Sequence, residues 1–361
     1  MEPALRLEEL LPVVRNFLRS HWNVAMTGPV EAIPGQASNR RYYRLQLSGP
    51  PAAQMILVQL PPDPFESDEV TAHDGPRELP FCSMLRFLES RQLPVPQLYA
   101  DCTKEGFLLQ EDLGSTTLFS ELQELPSSHW AARYEEAIDL LVEFQSATVS
   151  APVSGPPCIG FDRRFSRALL RWELEHFKEW LLLDHAGAKL LPADATALEQ
   201  SFDAIADKLA SSPYRLAHRD YQSTNLMRRC GNLVLIDFQD ALLAPPMYDL
   251  VALLRDSYIP LESQTVDHLL AYYWDQAREL LPFSTATEMR QHFHLQTVQR
   301  KLKDAGRFVF IDRVKGNPGF LQWVDVTLGY VSEALLQLTD GPALQERLSR
   351  YVPALAGRKT L

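Results

Sequence analysis

The most constraining feature of this sequence is the segment LAHRDYQSTNLMRRCGNLVLIDFQD, residues 216–240. The apolar run at 233–236 predicts a short buried strand that ends directly before Asp237. Upstream, Asp220 and Asn225 lie five positions apart in a polar stretch typical of an irregular loop. A hard cation such as Mg²⁺ prefers oxygen ligands and keeps several waters. The pattern therefore predicts Asn225 and Asp237 as metal ligands and leaves Asp220 as a general base.

The order of these residues matches the catalytic segment of phosphoryl-transfer enzymes. The H-R-D at 218–220, the asparagine five places later and the I-D-F at 236–238 follow the pattern of a kinase catalytic loop and its metal-binding aspartate. Each element is weak alone, but the set in this order is specific. Gln239 stands where protein kinases have a glycine, and no A-P-E segment follows. The sequence therefore predicts an ATP-dependent phosphotransferase that is not a protein kinase.

Two kinds of pattern divide the chain. Short alternating or apolar runs predict strands in the first part, and 3.6-residue periodicity predicts helices after Gly114. We expect strands at 41–47, 54–60, 95–102 and 106–114, and helices at 5–20, 78–91, 130–147, 162–186, 192–210, 264–281, 286–305 and 339–351. The predicted class is α+β with two lobes. Residues 1–112 would form a small nucleotide-binding lobe with an antiparallel sheet, and residues 113–361 a larger helical lobe with the catalytic loop and substrate pocket.

Composition excludes several classes of protein. The formal net charge of -11 argues against nucleic acid or anionic membrane as a partner. No run approaches the roughly 18 apolar residues of a membrane span, and the N-terminus lacks the pattern of a signal peptide. The cysteines form no C-x-x-C pair and are predicted to be buried free thiols in a reducing compartment; they are Cys82, Cys102, Cys158 and Cys230. We expect a cytoplasmic monomer that acts on a small molecule.

The sequence resembles the aminoglycoside phosphotransferase and choline kinase group of small-molecule kinases. That group carries H-x-D-x-x-x-x-N, then I-D-[FW], then a D-L-A-like helix start, which here is MYDLVALLRD at 247–256. The resemblance implies a protein-kinase-like, aminoglycoside phosphotransferase-like fold that uses ATP and Mg²⁺. It also implies that His218 and Asp249 are structural residues.

Within that group, the sequence is most similar to the cell-wall-recycling N-acetylmuramate/N-acetylglucosamine anomeric kinases of Gram-negative bacteria. The similar segments span most of the chain, and the most specific of them are the arginine-rich ASNRRYYRL (37–45) and QRKLKDAGRF (299–308). The resemblance implies that an amino sugar is the substrate and that its anomeric hydroxyl is phosphorylated to give a sugar 1-phosphate.

The nucleotide site departs from the general kinase pattern. Gln59 occupies the expected position of the phosphate-binding lysine, and the first 103 residues contain no lysine. Arg40 or Arg41 could supply the charge instead, and only one of them can face the site because side chains alternate along a strand. The alternative is that both belong to a solvated strand end. The predicted nucleotide-binding residues are Gly35, Ser38, Arg40, Arg41, Gln59, Gln110, Glu111 and Leu113.

The substrate site is less clearly marked. Helical spacing places Trp172, His176 and Trp180 on one face, beside a core face formed by Leu170, Leu174, Phe177 and Leu181. The aromatic residues could stack on a sugar ring, and core packing is the alternative. Arg300 and Lys303 lie one turn apart and could meet a substrate carboxylate or form a solvated face. The predicted substrate-binding residues are Glu173, Asp220, Asp240 and Arg300.

Two other functions remain open at this point. The chain could be a kinase for another small alcohol, of the aminoglycoside, choline or homoserine type. It could also be a non-catalytic pseudokinase, for which the missing lysine is the only argument. The intact set of Asp220, Asn225 and Asp237 argues against a pseudokinase, because a binding module needs no general base.

Overall fold

The computed structural model of the chain describes residues 6–33, 40–62 and 78–356. The chain divides into two compact units. Unit 1 comprises residues 1–117, 154–159 and 227–240, and unit 2 comprises residues 118–153, 160–226 and 241–361. The assignment of nucleotide binding to residues 1–112 and of substrate binding to the remainder stays a prediction.

Unit 1 is built on a five-stranded antiparallel sheet, as predicted, with the strand order β1-β2-β3-β5-β4. A hairpin, β7–β8, contains the strand that precedes Asp237. The elements of the unit are α1 (Leu7–Trp22), β1 (Glu31–Ile33), β2 (Arg41–Gln46), β3 (Gln54–Gln59), α2 (Pro80–Ser90), β4 (Leu98–Cys102), β5 (Phe107–Glu111), β7 (Leu226–Arg229, with Leu226 counted in unit 2) and β8 (Asn232–Leu235).

One face of this sheet is covered by α1. Three residues of α1, spaced by four and fully buried, pack with Leu45 and Leu57 of the sheet; they are Leu10, Val14 and Leu18. Because successive side chains of a strand point to opposite faces, Tyr43 and Leu45 of β2 face α1 while Tyr42 and Arg44 face the other way. The same alternation places Arg40 and Arg41 on opposite faces, and likewise Val58 and Gln59 of β3.

Unit 2 is helical, with one two-stranded antiparallel pair, β6–β9. Its elements are α3 (Leu118–Glu124), α4 (Trp130–Ala147), α5 (Ile159–Asp162, with Ile159 counted in unit 1), α6 (Arg167–His176), a π-helix (Phe177–His185), α7 (Pro192–Ala210), β6 (Arg215–Ala217), β9 (Leu242–Ala244), α8 (Tyr248–Leu254), α9 (Ser263–Ala277), α10 (Ala286–Lys315), α11 (Val324–Leu336) and α12 (Gly341–Ser349).

The long helix α10 is the centre of unit 2. It begins where the Thr285 hydroxyl accepts a hydrogen bond from the Glu288 amide, and it ends at Gly316, which has a left-handed φ of 68°. It packs against α6, the π-helix, α8 and α11. At Gly306 the backbones approach so closely that a Cβ would lie 2.7 Å from the Phe177 Cα and 2.8 Å from the His176 carbonyl oxygen. The glycine of QRKLKDAG is therefore required for packing.

Several sequence predictions need correction. The strand β1 and the helices α3 and α11 were not predicted, and α10 continues ten residues beyond the predicted end at 305, to Lys315. The single helix expected at 162–186 is divided into α5, α6 and the π-helix. Cys230 is exposed, in a turn with a φ of 48°, whereas Cys82, Cys102 and Cys158 are buried as predicted. Among the described residues, no helix is long and apolar enough to cross a membrane.

We predict that Gly306→Ala lowers the free energy of unfolding by about 1–3 kcal/mol, because its methyl group would overlap backbone atoms that cannot rotate away. Gly329→Ala in α11 is the matched control, since nothing lies within 4 Å of its added Cβ. That control should raise the stability by about 0.5–1 kcal/mol through helix propensity alone. Urea unfolding measures both. Equal stabilisation by the two substitutions would contradict the close approach.

Candidate active site

The loop that follows β6 is held by a buried carboxylate. Asp249, in the first turn of α8, accepts hydrogen bonds from the backbone amides of His218 at 2.7 Å and Arg219 at 2.9 Å. Arg219 has a φ of 78°, a left-handed conformation that is strained for a residue with a long side chain. The two hydrogen bonds to Asp249 stabilise this turn, which directly precedes Asp220.

A second carboxylate holds the other end of the loop. Asp256, which follows α8, accepts hydrogen bonds from the Ser223 amide at 3.2 Å and the Ser223 hydroxyl at 2.5 Å. Burial raises the pKa of both Asp249 and Asp256, and the hydrogen bonds donated to them act in the opposite direction. Sequence reasoning missed Ser223 and Asp256; the aspartate that ends the apolar run MYDLVALLRD was the available signal.

The predicted catalytic residues lie on this loop. The Asp220 side chain is 37% exposed, and the Arg300 guanidinium lies 3.5 Å from its Oδ1. Asn225 is buried, and its Nδ2 donates to the Asp220 carbonyl oxygen at 2.9 Å. The His218 ring is buried beside Tyr221 and Phe144, which agrees with the structural role expected for it. Unit 2 thus presents one partly exposed carboxylate on a loop whose backbone is fixed at both ends.

Asp237 lies in unit 1, two residues after the end of β8, and has a left-handed φ of 64°. The next residue, Phe238, is fully buried and stacks on Phe81 of α2 with ring centroids 5.3 Å apart. Gln239 donates from Nε2 to the Asp237 Oδ1 at 2.7 Å. The residue that replaces the expected glycine therefore orients the Asp237 carboxylate, while Phe238 anchors the turn.

Arg40 is the arginine on the side of Asp237. The pKa of the Tyr42 phenol is raised, chiefly by burial. The charge of Arg40 opposes this shift and the charge of Asp237 adds to it, so both groups lie near the Tyr42 ring within unit 1. Arg41, the next residue along β2, is exposed and alternates to the other face. Gly35 and Ser38, the other residues predicted for this loop, lie outside the described residues.

Gln59 lies on the face of the sheet opposite to that of Arg40 and Tyr42. It is buried, and its Oε1 accepts a hydrogen bond from the Tyr43 hydroxyl at 3.1 Å, on the face covered by α1. Val58, its neighbour, is paired with Tyr42 in the sheet. This orientation does not support the predicted role of Gln59 at the nucleotide, because side chains at 58 and 59 point to opposite faces.

Residues 110–114, which comprise the end of β5 and the three residues after it, are held by two arginines that were not predicted from the sequence. Arg44 forms a bidentate pair with Asp112, at 2.5 and 3.1 Å, and also donates to the Gly114 carbonyl oxygen. Arg229 of the β7–β8 hairpin donates to the Asp112 carbonyl oxygen at 2.7 Å and pairs with Glu111 at 2.5 Å. Gln110, Glu111 and Leu113 are all partly exposed, so this segment is rigidly held and accessible.

The predicted substrate residues have contrasting environments. Asp240 is partly exposed, whereas Glu173 is fully buried and accepts a hydrogen bond from the Gln299 Nε2 at 2.7 Å. Arg300 is 3% exposed, so the alternative of a solvated face is wrong for it. Trp172 is exposed and stacks on His176, whose ring in turn lies 6.2 Å from that of Trp180, as the shared helical face predicted.

Solved structures with the same fold include a choline kinase and an aminoglycoside phosphotransferase. The choline kinase LicA from Streptococcus pneumoniae aligns over 96% of this chain and 99% of its own, with a TM-score of 0.55 and 16% identity. The ADP-bound aminoglycoside phosphotransferase APH(2'')-Ib aligns over 93% of this chain and 99% of its own, with a TM-score of 0.55 and 14% identity. These similarities confirm the predicted protein-kinase-like fold.

Residues 29–281 match the phosphotransferase enzyme family APH, and the chain belongs to this family. The N-acetylmuramate/N-acetylglucosamine kinase of Pseudomonas putida is 30% identical over 88% of this chain and 87% of its own length. The kinase of the same name from Neisseria meningitidis serogroup B is 32% identical over 75% of each chain. The prediction of a phosphotransferase is confirmed.

The orientation of β2 generates a prediction for nucleotide binding. We expect Arg40→Ala to weaken ATP binding by about 1–3 kcal/mol, because it removes a charged hydrogen-bond donor beside Tyr42 and Asp237. Arg41→Ala removes the same charge from the opposite face and should bind ATP as the unaltered protein does. Calorimetric titration with a non-hydrolysable ATP analogue measures both. A loss confined to Arg41→Ala would show that the strand presents the other arginine.

Proposed function

We propose that this protein transfers the γ-phosphoryl group of ATP to the anomeric hydroxyl of N-acetylmuramate or N-acetylglucosamine, giving the sugar 1-phosphate. The observation that carries the proposal is the loop at 218–225, in which two buried carboxylates fix the backbone around a partly exposed Asp220. The names of relatives that are 30% and 32% identical support an amino sugar as the acceptor. The sugar would come from recycled cell wall, in the cytoplasm, and the protein would act as a monomer.

Asp220 is the proposed general base. Its carboxylate would accept the proton of the attacking hydroxyl while the oxygen attacks the γ-phosphorus and the bond to ADP breaks. The carboxylate is partly exposed, as a group that must meet a substrate hydroxyl has to be. Arg40 would neutralise charge on the ATP phosphates, and residues 110–113 would contact the adenine ring.

Asn225 and Asp237 are the proposed ligands of Mg²⁺, and their chemistry fits this cation. The Asn225 amide nitrogen is used in its bond to the Asp220 carbonyl oxygen, so its oxygen is the atom suited to bind a metal. Asp237 is held by Gln239 through one carboxylate oxygen. When bound, Mg²⁺ would offset the charge of the nucleotide phosphates. Among the described residues no three His, Cys, Asp or Glu side chains cluster, which fits a site completed by phosphate and water oxygens.

The acceptor sugar would meet the partly exposed Asp220 and Asp240, whose carboxylates can accept hydrogen bonds from hydroxyl groups. Glu173 and Arg300 are buried, so they would act indirectly, through the residues that they contact. The exposed face of Trp172 remains a candidate for stacking on a sugar ring.

We predict that Asp220→Asn lowers kcat by about 10²–10⁴-fold, because the amide cannot accept the hydroxyl proton. The substitution keeps size and shape, so the affinities for sugar and nucleotide should change little. Steady-state kinetics with both sugars, together with calorimetric binding, measures the effect. Turnover within about threefold of that of the unaltered protein would remove Asp220 from the role of base.

The product identifies the acceptor hydroxyl. We predict that ATP-dependent turnover of N-acetylglucosamine and N-acetylmuramate gives a product whose ³¹P nucleus couples to C1 and H1 in NMR spectra. Choline and kanamycin, tested in parallel, should release no ADP above the rate without acceptor. Coupling to C6 would assign the enzyme to another class of hexosamine kinase. Turnover of choline or kanamycin alone would contradict the proposed substrate.

A further inference from the structure

Arg300 lies on α10, directly behind the catalytic loop. Its Nη1 donates to the Arg219 carbonyl oxygen at 2.9 Å, and its Nη2 lies 3.5 Å from the Asp220 Oδ1. The guanidinium therefore contacts the two consecutive residues on which the proposed chemistry depends. One of them is the strained residue of the turn, and the other is the proposed base.

These two contacts differ in kind. The bond to the Arg219 carbonyl has ordinary hydrogen-bond length and fixes the peptide group that joins Arg219 to Asp220. The distance to the carboxylate is longer than the roughly 2.7–2.9 Å of a close charge-assisted bond. Arg300 thus places a positive charge beside Asp220 without tightly engaging it, and the carboxylate can still accept a hydroxyl proton.

The guanidinium has no freedom to move toward a substrate. It lies 4.6 Å above the ring centroid of Tyr248, and its side chain is only 4% exposed. Asp304, one turn along α10, lies 3.9 Å from its Nε. Moving this buried cation toward a substrate would break its hydrogen bond to the Arg219 carbonyl oxygen and its contact with the Tyr248 ring. This burial does not support the sequence-based prediction that Arg300 meets the carboxylate of a substrate.

We propose that Arg300 is a positioning residue, which holds the Arg219–Asp220 peptide and thereby aims the Asp220 carboxylate at the acceptor hydroxyl. The inference rests on the proposed role of Asp220 as general base. Because Arg300 acts through the loop, its contribution is the same for every acceptor, with or without a carboxylate. N-acetylmuramate carries a carboxylate and N-acetylglucosamine does not, so this pair separates positioning of the base from substrate recognition.

The test uses Arg300→Met, which removes the charge and the donors, and Arg300→Lys, which keeps only the charge. We expect Arg300→Met to lower kcat by about 10–100-fold with both sugars, because small displacements of a catalytic group have effects of this size. The KM of each sugar should stay within about threefold. Arg300→Lys should recover part of the loss, since an ammonium cannot contact both residues as the planar guanidinium does.

The matched control is Arg313→Met, which removes an exposed arginine from the same helix, where it pairs with Asp184. Its kcat and both KM values should equal those of the unaltered protein. Urea unfolding of all variants shows whether a loss of turnover follows from a loss of structure. If Arg300→Met does not fold, the comparison of the two sugars is made with Arg300→Lys.

A double-mutant cycle with Asp220→Asn identifies the route of the effect. If Arg300 acts through Asp220, the variant carrying both substitutions should be no slower than Asp220→Asn alone. Full additivity of the two losses would contradict the inference, as would an unchanged kcat in Arg300→Met. A rise in KM for N-acetylmuramate alone would make Arg300 a substrate ligand instead. If the unaltered protein phosphorylates neither sugar, the proposed function fails, and the cycle is then measured on ATP hydrolysis, with water as acceptor.

Discussion

Two backbone hydrogen bonds to the buried Asp249 carboxylate hold the loop that carries Asp220. The donors are two consecutive backbone amides, those of His218 and Arg219, at a turn where Arg219 has a left-handed backbone conformation. A non-glycine residue in this region is strained by about 1–3 kcal/mol and persists only where its surroundings determine it. The Asp249 carboxylate stabilises this conformation of Arg219, because two backbone amides donate hydrogen bonds to one buried anion.

Burying this anion has a consequence for stability. Burial raises the pKa of Asp249 and of Asp256 above their values in the unfolded chain. At pH values between the unfolded and the folded pKa, the folded chain binds more protons than the unfolded chain. A fall in pH through this range therefore raises the free energy of unfolding. The free-energy cost of burying the two charged carboxylates is therefore fully present at pH values above both folded pKa values. The fold tolerates it because both carboxylates hold the loop that carries Asp220.

Helix α10 connects this loop to the body of unit 2. Gly306 allows α10 to approach the junction of α6 and the π-helix, and one to two turns earlier the same helix presents Lys303 and Arg300. Glu173 of α6 bonds to Gln299 and lies 3.9 Å from the Lys303 ammonium. The motif QRKLKDAG thus combines two functions. Gly306 sets the distance between the helices, while Arg300 contacts the loop and Lys303 contacts α6.

The proposed catalytic residues could be predicted from the sequence because they are close together in it. Asp220, Asn225 and Asp237 lie within 18 consecutive residues, and their spacing reflects their chemistry directly. The groups that hold the loop of Asp220 could not be predicted, because Asp256 and Arg300 contact this loop from positions 33 and 80 residues away in the sequence. The proposed contribution of Arg40 could be separated from that of Arg41 only with the alternation of side chains along β2, which the structure shows. The break at Phe177 was hidden because the apolar spacing continues through the π-helix.

If the loop at 218–225 is preorganised, amide hydrogen exchange will show it before any substrate is bound. In the free protein, the amides of His218 and Arg219 should exchange no faster than the core amides of α8, because both are bonded to the buried Asp249. Addition of nucleotide and sugar should then change their exchange little. Rapid exchange of these two amides in the free protein, with protection only after substrates are added, would show that the substrates assemble the loop.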